Sequence, residues 1–173
     1  NKAIRQAELR FLRGHSHFML KLLFKKIPYI TEDMTPEEKA LASNDIDNDA
    51  LWNTIADDFL FAYNTLPQSQ DQVGRADKNA AAAYLAKLRL YQAYEQNDTH
   101  QVTNINPSKL QEVIDYADDV TGALEADYGN NFLDGFDNGT ESIWAVQFSI
   151  NDGTTVGRTS FVTGLNSPHG TGL

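Results

Sequence analysis

Ala7-Glu8-Leu9-Arg10-Phe11-Leu12-Arg13-Gly14-His15, running on to Leu22-Leu23-Phe24-Lys25-Lys26-Ile27-Pro28, is the stretch whose periodicity decides the fold. Ala7, Phe11, Gly14, Phe18 and Leu22 recur at helical spacing and share one stripe. Leu12, Met19 and Leu23 make a second apolar stripe on another side, and Gln6, Arg10, Arg13, His17 and Lys21 form the polar edge. A helix apolar on two sides is expected to have neighbours on two sides, which places it inside a bundle. Gly14 gives up about 1 kcal/mol of helix propensity relative to alanine, so its place in the main stripe predicts a close helix crossing. Pro28 ends the helix, because the residue before a proline is pushed out of the helical region.

The segments beyond it read as further helices. Thr35-Pro36-Glu37-Glu38 is a capping box with proline at the first helical position, opening a short helix. Asp49 is the expected cap of the next, whose core face is Leu51, Ile55, Phe59, Ala62 and Leu66, widened by Trp52 and Tyr63. Asp77 caps a third that reaches about Glu95, with the small run 80–83 and Ala86 allowing close approach. Residues 96–105 are polar and are expected to form a mobile loop. Asn106-Pro107 opens a last amphipathic helix marked by Leu110, Val113, Ile114, Ala117, Val120 and Leu124. The last two helices begin roughly 30 residues apart, near a tetratricopeptide period. From Tyr128 glycine, asparagine and aspartate take over, and Trp144, Val146, Phe148 and Ile150 alternate as in one short strand. The expected architecture is mainly α: a helical bundle with tetratricopeptide-like helix pairs, long loops, and one short strand or hairpin near the C-terminal part. The whole of 1–173 is expected to be one domain, helical over 1–127 and turn-rich over 128–173.

Composition removes several functional classes. The 14 Lys and Arg against 24 Asp and Glu leave a formal charge of −10, which argues against a nucleic-acid partner, although the opening helix concentrates Lys2, Arg5, Arg10, Arg13, Lys21, Lys25 and Lys26. Without cysteine there are no disulfides, thiolate metal sites or cysteine nucleophiles. No apolar run approaches the ~20 residues of a membrane span. The sequence opens without methionine in the middle of a helical pattern, and is expected to be an interior stretch of a longer protein.

Candidate chemistry is sparse. His15 and His17 lie two positions apart on a helix, about 200° around its axis, and cannot share an ion. Asp45, Asp47 and Asp49 alternate like the start of a calcium loop, but Ala50 stands where that loop needs glycine and Ala56 where it needs a bidentate glutamate. A capped, acidic helix start is the simpler expectation. A glycosidase needs two acids opposed across a cleft. Asp57/Asp58 and Asp118/Asp119 are expected to point apart on solvated helix faces, and Glu141 is alone. No residue is expected to be catalytic, and no metal or cofactor is expected. Trp52, Trp144, Tyr63 and Tyr91 could stack on sugar rings, but their helix and strand spacing fits a core role better.

Four blocks in order carry a resemblance. They are residues 7–13 leading to Leu22-Leu23-Phe24 and Ile27-Pro28-Tyr29-Ile30; Leu51-Trp52 through Asp57-Asp58-Phe59 to Leu66-Pro67; Gly74-Arg75-Ala76-Asp77-Lys78 with the alanine run and Leu90-Tyr91; and Glu141-Ser142-Ile143-Trp144 to Gln147-Phe148. Together they resemble the SusD/RagB family of outer-membrane glycan-binding lipoproteins of Bacteroidetes-type bacteria. Phe24-Lys25-Lys26 departs from the family's usual "YGD" turn, and residues 96–105 match no family pattern.

The resemblance implies a non-enzymatic protein that captures an oligosaccharide or polysaccharide for nutrient uptake. It implies localisation at the cell outer membrane as a surface-exposed lipoprotein, with a SusC-like TonB-dependent transporter as partner and membrane contact only through a lipid anchor outside this stretch. Asn166 and His169, in the loop approaching the expected binding region, are the candidate ligand-binding residues, since both can hydrogen-bond sugar hydroxyls. A tetratricopeptide-like adaptor that binds a peptide, and a glycosidase, are the alternatives.

Overall fold

A computed structural model describes residues 1–97, 99–133 and 135–147 of the chain. The helices are α1 (Lys2–Phe24), α2 (Pro36–Leu41), α3 (Asn48–Thr65), α4 (Lys78–Ala93) and α5 (Pro107–Asp118), with one 3-10 turn at Tyr128–Phe132. Local chemistry sets their starts. Thr35 and Glu38 form the expected capping box, the Asp77 side chain accepts from Ala80 N–H, and Asn106 accepts from Ser108 and Lys109 N–H ahead of Pro107. Helix α3 begins two residues before the expected position, capped by Asp47 rather than Asp49.

Helix α1 packs on α3, α3 on α4, and α4 on α5. The core lies where the first three meet: Phe11 and Phe18 from α1, Leu51, Ile55 and Phe59 from α3, and Leu85 and Leu88 from α4 are fully or almost fully buried. Phe11 is its centre, edge-on to Phe59, Tyr84 and Trp144 at ring-centroid distances of 5.5, 5.2 and 5.1 Å. Gly14 is the predicted close crossing. A Cβ there would sit 3.1 Å from Asp58 Cβ and 3.2 Å from the Phe59 ring.

The structure departs from the sequence expectations at four places. The second stripe of α1 has no partner among the described residues: Leu12, Met19 and Leu23 are 45, 43 and 72% exposed. The polar edge instead packs inward, leaving His17 and Lys21 buried. Residues 96–105 are no loop throughout, because Tyr94–Gln96 (β1) and Val102–Ile105 (β2) form an antiparallel hairpin pairing Tyr94 with Ile105 and Gln96 with Val102. Asn97 closes its turn by accepting from Thr99 and Gln101 N–H on Oδ1. Helix α5 stops at Asp118, and Leu124 lies exposed beyond it. The chain there is clasped to the start of α4, with Asn79 Oδ1 accepting from Thr121 N–H at 2.7 Å and Asn79 Nδ2 donating to Thr121 O at 2.8 Å. The short strand expected around Trp144 is not formed over residues 142–147, and residues 148–150 lie outside the described residues. Among the described residues the fold is nonetheless mainly helical with one short hairpin, placed between α4 and α5.

Candidate functional site

The most concentrated polar chemistry surrounds Asp58, expected on a solvated face but fully buried. Its Oδ1 accepts from Arg10 Nε at 2.8 Å and Arg13 Nη2 at 2.6 Å, and its Oδ2 accepts from Arg13 Nε at 2.8 Å and from the Tyr29 hydroxyl. Arg13 is therefore bidentate on one carboxylate, and it also meets Glu32. Burial alone would raise the Asp58 carboxyl, but the hydrogen bonds from Arg13, Tyr29 and Arg10 hold it below its ordinary value. The same contact raises the Arg13 guanidinium, and burial and Asp58 raise the Tyr29 phenol. A carboxylate held by two guanidiniums and a phenol neither gives nor takes a proton near neutrality. The cluster is structural.

A second cluster has the same character. Glu8 is gripped bidentately by Arg75, at 2.8 Å from Nε and 2.6 Å from Nη2, and accepts from Gln70 Nε2 at 2.9 Å. Trp144 Nε1 donates to Gly74 O at 3.0 Å. Gly74 itself has φ 84°, and a Cβ there would come within 2.5 Å of Gln147 Cγ. The polar residues of the four sequence blocks thus bind one another: Glu8 with Arg75, Arg10 and Arg13 with Asp58, Trp144 with Gly74.

The two helix histidines are separated as expected. His15 Nδ1 meets the Tyr84 hydroxyl at 2.8 Å. His17 stacks on Tyr29 and accepts from Ile30 N–H on Nε2 at 3.1 Å, so its Nδ1, 3.0 Å from Arg13 O, carries the proton of a neutral ring. Burial lowers both pKa values, aided at His15 by Lys87. The folded state therefore holds fewer protons than the unfolded state as the pH drops through 6.5, their ordinary value. Their contribution to stability is full above that pH and declines below it, toward the lowered folded-state values. The melting temperature should fall between pH 7.5 and 5.5, and less so in a His15→Phe/His17→Gln variant. An unchanged or rising melting temperature over that range would contradict the assignment.

Asp47 and Asp49 are occupied without a metal ion. Asp47 caps α3, and Asp49 accepts from Asn53 Nδ2 and Gln92 Nε2. Among the described residues no three His, Asp or Glu side chains gather as a metal site, and no helix is long and apolar enough to cross a membrane.

A cleft of about 170 Å³ opens where the end of α1 meets the start of α3, the end of α4 and the hairpin. Its lining includes Lys21, Lys25, Trp52, Tyr91, Tyr94 and His100. Helix α1 ends beside it in a tight turn: Lys25 has φ 62° and ψ −55°, and Lys26 N–H donates to Phe24 O at 2.6 Å. This is where the sequence departs from the "YGD" turn. Of the four aromatics weighed as sugar platforms, Trp52 is core, Trp144 packs on Phe11, and Tyr63 packs edge-on to Tyr116. Tyr91 is 45% exposed on the cleft. Helical spacing puts Lys21 on the polar edge of α1, but it is buried in the fold, and Tyr94 carries no signal in the sequence pattern. Asn166 and His169 lie outside the described residues.

A family model described as "Starch-binding associating with outer membrane" matches residues 2–90, just over half of the chain. The matched span holds α1 to α4 almost entire, with the Asp58 and Glu8 clusters that join them. The chain belongs to this SusD-like family, a binding family associated with the outer membrane. No curated protein matches it.

Proposed function

We propose that the protein captures oligosaccharides at the cell surface and passes them, uncleaved, to a SusC-like TonB-dependent transporter. A lipid anchor outside this stretch holds it to the outer membrane. The observation that carries this reading is the family match over residues 2–90, which covers a scaffold where Glu8 and Asp58 are taken up by Arg75, Arg10 and Arg13. Asp58, the fully buried acid, is sealed in the core. Asn166 and His169 belong to the same reading as hydrogen-bonding partners of sugar hydroxyls.

The test is affinity electrophoresis of the full-length protein in gels containing amylopectin, xylan or pectin, with chromatography of the incubated glycan. Retardation without released product is the expected result. Turnover abolished by replacing one acid would overturn the non-enzymatic assignment. Failure to bind any glycan, with capture of a protein partner instead, would favour a peptide-binding adaptor. Co-purification of an outer-membrane transporter from the native host tests the partner.

A further inference from the structure

We infer that the cleft between α1, α3, α4 and the β1–β2 hairpin is a subsite for an acidic sugar: one hexuronate ring, its carboxylate on the Lys21 ammonium and its apolar face against Tyr91 and Tyr94. This rests on the glycan-capture reading and adds the charge class of the ligand and the place where it is read.

Lys21 carries the argument. It is only 4% exposed, yet its neighbours at bonding distance are neutral: Nζ donates to Asn48 Oδ1 at 2.8 Å and Lys25 O at 3.2 Å, and lies 4.5 Å from the centre of the Trp52 ring. Arg10, Arg13, Arg75 and Arg89 each sit against a carboxylate. Among the described residues Lys21 has none in contact, and Asp47 acts on it only through its field. Burial and the neighbouring Lys25 bring its pKa down to about 8, which leaves it charged at neutral pH. A buried ammonium satisfied only by dipoles and a ring face is incompletely compensated, and this one lines an open cleft. A ligand carboxylate supplies the missing counter-charge.

The rest of the lining selects a sugar over a simple anion. Tyr91 and Tyr94 are 45 and 40% exposed. Trp52 backs Tyr91 in a stacked arrangement, with centroids 6.2 Å apart and planes 22° from parallel. Tyr91, fixed in this way, and the exposed Tyr94 beside it on the cleft lining offer apolar faces with polar rims, as a pyranose requires. Drug-sized pockets run to about 300–1,000 Å³. At about 170 Å³ the cleft is of single-ring scale, with the remainder of a chain left in solvent.

The experiment is calorimetric titration of the full-length protein with trigalacturonate and with a neutral galactotriose. A hydrogen-bonded charge pair predicts tighter binding of the acid by about tenfold or more. Lys21→Met keeps the aliphatic length, removes the charge, and should erase that preference. Tyr94→Ala, on the exposed hairpin, should weaken the acid several-fold with no change in melting temperature, so the proposal does not depend on the buried variant folding. Equal or better binding of the neutral trimer would overturn this inference and leave glycan capture standing. No binding of either trimer, nor of any glycan in the gels above, would overturn both. Displacement of trigalacturonate by acetate or inorganic phosphate at equal concentration, or an unchanged affinity in both variants, would also overturn it.

Discussion

Asp58→Ala is expected to lower the free energy of unfolding by about 3–5 kcal/mol, the range found when one partner of a buried ion pair is removed. The carboxylate is wholly buried, while Arg10 and Arg13 keep 25 and 20% of their side-chain exposure. Without Asp58, Arg10 loses its carboxylate, Arg13 is left with the exposed Glu32 alone, and the Tyr29 hydroxyl loses its acceptor. Both arginines also rest on ring faces. Arg10 lies over the Phe61 ring at 4.5 Å, and Arg13 over Tyr29 at 5.6 Å. Since domains of this size are stable by about 5–15 kcal/mol, a urea melt should shift to a much lower midpoint. A loss under about 1 kcal/mol would mean that water reaches the cluster and that the burial described here is wrong. The effect is also pH-dependent. Asp58 has a depressed pKa in the fold, so its stabilisation is complete above the ordinary carboxylate value and is lost as pH falls through the folded one. The variant and the parent should converge in strong acid.

Phe11→Ala is the second large effect, expected at about 3–5 kcal/mol. The ring is completely buried and touches three other rings edge-on. The size of the loss depends on whether the surroundings can collapse into the space, and here they are pinned. Tyr84 is held through its hydroxyl to His15, Trp144 through its indole N–H to Gly74 O, and Phe59 sits stacked on Tyr84. The cavity stays open. Leu12→Ala, one position along but on the exposed stripe, should cost only about 0.5 kcal/mol or less. Equal losses in the two variants would show that the stripe assignment along α1 is mistaken. Trp144 emission offers an independent readout, because its ring lies 5.1 Å from Phe11.

Helix starts and the main core stripe were legible in the sequence because both are local chemistry. Thr35, Asp77 and Asn106 cap where their side-chain oxygens can reach the second or third following N–H, and Ala7, Phe11, Phe18 and Phe59 are buried where periodicity placed them. Asp58 was misread because a carboxylate beside Asp57 looks solvated until two arginines from 45 and 48 positions away are found on it. Periodicity carries no record of such pairing. The hairpin was missed for a different reason. Its residues are exposed on both strands, so they show no alternation of polar and apolar side chains, and the turn at Asn97 organises them. The early end of α5 depends on the Asn79 clasp, again a contact made across 42 positions. The cleft is built from parts just as scattered: a lysine from one helix, tyrosines from another and from a strand, and a tight turn at a non-glycine residue. The four recognisable blocks turned out to be one another's partners. A family signature of that kind reports how the scaffold closes and is silent about what it holds.

Arg10 and Arg13 lie three positions apart on α1 and meet on a single carboxylate of α3. Each residue added to a helix rotates everything after it by about 100°. One residue inserted between the two arginines would therefore carry a guanidinium off Asp58 and turn Gly14 away from its crossing at the same time, with a bulkier side chain brought against Phe59. The same insertion near Ser43, in the exposed connection between α2 and α3, displaces none of these contacts. Helix α1 thus behaves as a measured spacer whose length is set to the residue, while the connections around α2 can absorb additions and deletions.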